Sequence, residues 1–503
     1  MSDTQIRRKS LKAASWIYFG FLVGALNVYF FTHKNWFSVD EYGLTRSILD
    51  VSMLLSGVAT LGVTSFLYKF FPYYKDNTAP ERNDMLGIAF KVAGIGFVLT
   101  SVGLWLFHPL IERKLSTNSG LLIEYIYYAI PMAGLILLFN ILEAYSYGFH
   151  KGVLTSFLKE VAVRLFTLIA IILKISGIID FETFMLIFVF QYLGALLILF
   201  FILKKEGNIW LHFKPSKVTQ KFRKKIVAIM ALTFLVVVVT VLRQSIDTMI
   251  LASKINLEAV GIFGFAAYLV SILQAPFRSM VAITIPILST AWKNKKIKDI
   301  TRIYKRSSIN LLTFSLFMFG CIWLNYDAGI ALFKINPEYL SGKWVFFILG
   351  LVTIIEMGTG VNGQIIGTST YWRFELWTSL LLTALIIPLS IFFTVRFGIL
   401  GPALANLISF SVYNSLRIWF LWKKFRMQPF NLKSLEIVGI ALSTYLLIYF
   451  TIGNNGQLIS MIVSTSLFAA IFMGLLYYRN ISPDVKPIVQ SMLKKVNTKK
   501  RTD

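Results

Sequence analysis

Fourteen apolar stretches run along this chain, and its Lys and Arg residues crowd into every second gap between them. A helical membrane span needs about 20 mostly apolar residues. In hydrocarbon every backbone polar group must be satisfied internally, which leaves only helices or closed barrels. A barrel would show shorter alternating segments, about 10 residues each, and these are absent. The pattern therefore predicts an all-α polytopic membrane protein with about 14 transmembrane helices. The expected spans are 14–32, 45–68, 85–110, 121–148, 152–174, 182–203, 226–252, 258–289, 307–325, 343–368, 373–395, 398–422, 434–452 and 457–478. The longest imply tilt or helix projecting beyond the lipid.

The charge distribution gives orientation. Of 50 basic residues, 35 lie in or beside the N-terminus, the even-numbered gaps and the C-terminal tail, and only 8 in or beside the odd-numbered gaps. The positive-inside rule then places both termini in the cytoplasm of a multi-pass membrane protein. A net charge of +26 would otherwise suggest nucleic acid. That partner is excluded here because the charge is segregated by membrane side rather than gathered on one soluble module. With 56% hydrophobic and 15% charged residues, the chain lies far from soluble composition. The lone Cys321 rules out an intrachain disulfide, and four scattered histidines offer no ligand spacing, so no metal and no cofactor is expected. No cleavable signal is evident after Arg7, Arg8, Lys9 and Lys12.

The gap 204–225 holds eight basic residues and follows the sixth span. It suggests an N-terminal lobe at 1–204 (spans 1–6), a basic cytoplasmic linker at 205–225 and a C-terminal lobe at 226–424 (spans 7–12). Extra helices 13–14 follow at 425–479, then a basic cytoplasmic tail at 480–503 that suits anionic lipid. An internal echo supports two pseudo-symmetric six-helix lobes. Ser38-Val39-Asp40-Glu41-Tyr42-Gly43 after span 1 matches Asn256-Leu257-Glu258-Ala259-Val260-Gly261 after span 7, at an offset of 218 residues. Internal repeats of this kind are common in transporters, with the substrate site between them.

A charge at the bilayer centre costs about 2.5–3.5 kcal/mol on insertion scales, so intramembrane charges usually face a cavity or a partner. Arg46, Lys91, Glu124, Glu375 and Arg417 lie near span ends, where they can snorkel. Three groups resist that reading. Glu160 and Arg164 on span 5 share a helix face in the favourable order, beside Lys159. Arg243 and Asp247 on span 7 have the same spacing in reverse order. Arg278 on span 8 follows Pro276, a kink-forming residue, with no acid four residues away. The bland alternative for each pair is self-neutralisation, and for Arg278 an acid on another helix. Glu143 and Glu356 occupy the fourth span of each half and lack local partners. Gln191, Asn362 and Asn406 are either cavity-lining or interhelical hydrogen-bonding groups. Arg164, Arg243 and Arg278 are thus the substrate-binding candidates, and Asp247, Glu160, Glu143 and Glu356 the ion-coupling or cavity acids. No catalytic constellation, P-loop or large outer loop argues for an enzyme.

Several segments resemble bacterial polysaccharide flippases (the O-antigen type) of the multidrug/oligosaccharidyl-lipid/polysaccharide exporter superfamily. They are Phe37–Leu44 followed by Gly62-Val63-Thr64-Ser65, then Lys69-Phe70-Phe71-Pro72, Phe157-Leu158-Lys159-Glu160 with Arg164, Ser245-Ile246-Asp247, Asn362-Gly363 and Phe397–Ala403. The resemblance implies two six-helix lobes around a central cavity. It implies transport of a polyprenyl-diphosphate-linked oligosaccharide, a repeat unit for lipopolysaccharide O-antigen or capsule, with membrane lipids and a polysaccharide polymerase as candidate partners. Within the same superfamily, a lipid II flippase and a multidrug cation exporter are the alternatives. The former lacks a dense arginine cluster in spans 1 and 2 here, and the latter would want an acidic cavity and twelve spans.

Overall fold

The computed structural model describes residues 3–452 and 458–481, so the basic tail expected at 480–503 lies almost wholly outside it. The described residues form helices without a β-strand. By contacts, the chain divides into Met1–Gly264 and Phe265–Asp503. Among the described residues, nine helical segments are long and apolar enough to cross a membrane, or ten if one bent pair counts as a span. Among the described residues, each of the fourteen apolar stretches lies on helix, although several are broken or joined.

In the first unit, α1 (Asp3–Thr32) packs against α7 (Gly152–Phe157) and α8 (Val163–Ile175). The second expected span is two helices, α2 (Val39–Ala59) and α3 (Val63–Asn77), bent by 48°. The bend follows from two consecutive left-handed residues, Leu61 at φ 46° and Gly62 at φ 76°. Gly62 is also needed for space, because a Cβ there would strike the Met230 carbonyl. Next come α4 (Met85–Leu115), α5 (Gly120–Tyr125), α6 (Ala129–Tyr147), α9 (Phe181–Val189) and α10 (Gln191–Lys205). Their outer faces are apolar: Val98, Leu99, Trp105 and Phe107 of α4 are exposed, as a multi-pass membrane protein requires.

The last helix wholly in this unit, α11 (Lys217–Lys254), has 38 residues and packs on α2, α3 and α4. At about 1.5 Å per residue it outruns a hydrocarbon core of about 30 Å. Its Ser216 cap and first turns carry the basic residues, so the stretch read as a linker is already helix from Lys217. Buried Asp84 anchors this start, accepting from the Ser216 amide at 2.8 Å and from the Thr219 hydroxyl at 2.5 Å.

The two echo motifs are paired helix starts. Ser38 and Glu41 form a reciprocal capping box at α2, and Asn256 accepts the Ala259 amide at 2.8 Å at the start of α12 (Leu257–Leu273). They also meet. A Cβ on Gly43 would strike the Leu257 carbonyl, and one on Gly261 would strike the Val39 carbonyl. The exchange is reciprocal at the repeat offset, so the two helix starts cross with backbone in contact.

In the second unit the expected single span 258–289 is two helices. Its first part is α12, and α13 (Ala275–Lys293) restarts one residue later, with Pro276 in its first turn. The elements α14 (Ile297–Leu324), α15 (Tyr326–Leu332), α16 (Lys343–Gly358) and α17 (Asn362–Gly367) follow. After them come α18 (Trp372–Phe397) and α19 (Gly401–Phe425), which form one helical run of 54 residues. Gly398, at φ 58° and ψ −132°, breaks that run in a conformation open to glycine, and α18 and α19 pack on each other. One core joins Leu288, Ile300, Tyr304, Ile365 and Leu421. A second joins Leu312 to Ile437 of α20 (Leu432–Ile452) and Phe472 of α21 (Leu458–Tyr478), which docks that final pair on α14.

Candidate functional site

Between α7 and α8 the helix widens into a π-turn over Leu158–Ala162. Such turns recur at functional sites because the extra residue re-aims side chains. Here it carries Lys159 and Glu160. Lys159 donates to Glu143 of α6 at 3.0 Å, and Glu160 pairs with Arg164 at 3.0 Å. The phenol of buried Tyr192 on α10 lies within electrostatic reach of all four charges. Two acids and two bases thus form one formally neutral cluster, the condition under which charges persist away from water.

The cluster is held against α1. Gly20 permits the approach, since a Cβ there would strike the Glu160 carbonyl and lie 2.9 Å from the Arg164 guanidinium. Asn27 donates to the Arg164 carbonyl at 2.9 Å, and Phe21 offers its ring face to the guanidinium at 5.5 Å. Glu160 engages only one edge of Arg164. The other terminal nitrogen, Nη1, is buried without a hydrogen-bond partner. An unsatisfied buried guanidinium N–H has the geometry and charge to receive a phosphate or carboxylate oxygen.

Arg243 and Asp247 lie half-buried on α11, and Asp247 is engaged by another group. The neighbouring face of α11 reaches α2. Thr248 donates to the Asp50 carboxylate at 2.8 Å, and Ser245 donates to the Asp50 carbonyl at 3.2 Å. Arg46, one turn before Asp50, interacts with it electrostatically, and its Nε is buried without a hydrogen-bond partner. This second intramembrane group was missed in the sequence, where Arg46 passes for a snorkelling residue. Its signal was present: Arg46 and Asp50 repeat the spacing and order of Arg243 and Asp247.

In the second unit Arg278 stands exposed in the first turn of α13, and Glu356 is half-buried on α16. Both are engaged by other groups. Glu375 and Arg417, expected to snorkel, instead form a buried ion pair between α18 and α19. Arg417 is 6% exposed, lies 3.6 Å over the Tyr413 ring and donates to Asn362 at 3.3 Å. Asn362 in turn donates to Asn414 at 3.0 Å, and Thr167 donates to Gln191 at 2.8 Å, so these amides are interhelical ties. Among the described residues no group of three or more His, Cys, Asp or Glu could hold a metal ion.

The helical fold is shared with solved structures of membrane transporters. The lipid II flippase MurJ in an inward closed conformation matches with a TM-score of 0.74 and 15% identity, over 93% of this chain and 99% of its own. An inward-facing multidrug MATE family transporter matches at 0.62 and 12% identity, over 83% and 99%. The MATE transporter DinF-BH matches at 0.57 and 17% identity, over 84% and 96%. No protein-family model and no curated protein matches the sequence.

Proposed function

We propose that this protein is a flippase that moves a polyprenyl-diphosphate-linked oligosaccharide across the bacterial inner membrane, from the cytoplasmic to the outer leaflet. The observation that carries this reading is the reach of the structural likeness. The lipid flippase is matched over 93% of the chain, and the MATE transporters over 83–84%. The difference, about a tenth of the chain, has the size of the α20–α21 pair. The O-antigen or capsule repeat unit is the substrate favoured by the sequence motifs.

The intramembrane cations support an anionic cargo. Arg164 offers its unpartnered Nη1, Arg243 lies half-buried on α11, and Arg278 sits where α13 restarts within an apolar stretch. A discontinuous helix that begins inside the membrane presents its positive end to anionic groups. Arginine suits a diphosphate because its planar fork can engage two oxygens. Asp247 is the acid assigned to ion coupling. Glu160 holds Arg164, Glu143 holds Lys159, and Glu356 is the corresponding acid of the second half. Two six-helix lobes exchanging access in turn, driven by an ion or substrate gradient, complete the mechanism, with both termini cytoplasmic and no catalytic step.

Lipid II transport is the second reading, favoured by the MurJ likeness itself. Purified protein in proteoliposomes should be offered three cargoes: a fluorescent undecaprenyl-diphosphate oligosaccharide, fluorescent lipid II and a cationic dye. Movement of the first alone supports the proposal. Preference for lipid II establishes the second reading, and movement of the dye alone overturns both.

A further inference from the structure

A crevice of about 390 Å³ opens among α2, α4, α5 and α11, beside the Asp50–Thr248 contact and away from the Glu143–Arg164 cluster. That volume falls within the range of small-molecule pockets, about 300–1,000 Å³. Its walls are almost entirely apolar, with Leu54, Ile111, Leu122 and Met249 among them, and Lys114 is its one charged lining residue. Lys114 is exposed in the last turn of α4, at the end of these helices opposite the basic 204–225 stretch. From Leu104 to Leu115 on α4, and from Leu242 to Ser253 on α11, the crevice follows about 16 Å of helix. That is close to half of a hydrocarbon core of about 30 Å, the depth of one leaflet.

Its polar lining adds a second, independent sign of an occupant. Thr248 and Ser253 spend their hydroxyls on Asp50 and on the Ile250 carbonyl. Ser47 does not: its Oγ is buried without a partner, and the residue is 4% exposed. A buried hydroxyl is rarely left unsatisfied. The end of the crevice is fixed by Asn118 and Ser119, which donate to the Ser253 and Ala252 carbonyls at 2.9 and 2.6 Å. The cleft is thus built into the fold of the first unit.

We propose that this crevice binds one anionic phospholipid of the leaflet opposite the basic loops, with an acyl chain along the apolar walls and the phosphate at Lys114. The Ser47 hydroxyl is then available to an ester carbonyl. A single lysine suits a phosphodiester carrying one negative charge, such as phosphatidylglycerol. The diphosphate of a polyprenyl carrier carries more charge and calls for several cations. The site is independent of what the protein transports.

The test uses the full chain in nanodiscs containing phosphatidylglycerol or phosphatidylcholine with a photoreactive acyl chain, followed by peptide mapping. Adducts from phosphatidylglycerol should concentrate on α2, α4 and α11 around Leu54, Ile111 and Met249. Lys114→Glu should reduce them at least fivefold, the effect of losing one lysine near an anionic lipid before the added repulsion. Met249→Trp should reduce them by filling the crevice, while Lys34→Glu, a change at an exposed lysine outside it, should not. Equal labelling by phosphatidylcholine, labelling spread over the lipid-facing helices, or indifference to Lys114→Glu in folded protein would overturn the proposal. So would displacement by undecaprenyl diphosphate at a small fraction of the phospholipid, which would assign the crevice to the carrier chain.

Discussion

The charge pairs at the start of α8 and on α11 have the same spacing and the opposite order. Glu160 and Arg164 close at 3.0 Å, and Asp247 on α11 is engaged as well. The order differs: an acid N-terminal to its base at i,i+4 is the favourable arrangement, and α11 has the reverse. The surroundings differ too. On α8, Gly20 lets α1 press against the pair, and Asn27 bonds the Arg164 backbone. On α11 the adjacent Ser245 and Thr248 turn to Asp50 of α2. The α18–α19 pair, Glu375 with Arg417, marks the far limit of closure, with the cation buried and stacked on Tyr413. A closed, buried pair serves the structure. A pair that closes on one edge leaves charge for a ligand.

That contrast can be broken at its closed end first. Glu375→Ala strands Arg417 in a buried site, and loss of one partner there costs about 3–5 kcal/mol. Detergent-solubilised variant should unfold at markedly lower temperature, and wild-type stability would show that the pair carries no structural weight. At the half-closed pair, Arg164→Ala should cut flipping about 10- to 100-fold at equal membrane insertion, the loss expected for charged hydrogen bonds to cargo. Arg164→Lys should recover part of it, because a point charge without the fork is retained. On α11, Asp247→Asn should lower gradient-driven uptake about tenfold while sparing equilibration down a substrate gradient, a factor equal to about 1.4 kcal/mol. An unchanged ion dependence would remove Asp247 from coupling. The smallest effect sharpens the comparison: exchanging the charges as Arg243→Asp with Asp247→Arg restores the favourable order. It should raise thermal stability by about 0.3–0.5 kcal/mol and lower transport, because the favourable order strengthens the attraction between the two charges.

Local signals in the sequence were read correctly where the physics is local. The Ser38–Glu41 motif is a capping box, and its echo at Asn256 caps the equivalent helix. The apolar stretches are helices because each is a continuous run in a chain without strand periodicity. The i,i+4 spacing of Glu160 and Arg164 on one face pointed to their ion pair directly. What the sequence withheld depends on partners distant along the chain. Lys159 finds Glu143 sixteen residues away, and Arg417 finds Glu375 at a separation of 42, so neither pairing appears in local spacing. The division of the eighth apolar stretch at Gln274 was visible only as Pro276, which was read as a kink rather than a restart. The π-turn at Leu158–Ala162 has no sequence signature, since it arises where one residue too many must fit between two packed turns. Arg46 and Asp50 were overlooked because position near a span end suggested snorkelling, while α11 packs over them and keeps them inside.

The most direct test of the flippase reading and its arginines is one proteoliposome experiment. Flipping of a fluorescent undecaprenyl-diphosphate oligosaccharide is followed for the wild type and for Arg164→Ala and Arg278→Ala, each matched for insertion and orientation. Rapid flipping by the wild type and its collapse in both variants is the predicted result. Wild-type rates in both variants would show that the intramembrane arginines do not meet the cargo, and absence of flipping by the wild type alongside active transport of a cationic dye would contradict the flippase reading itself.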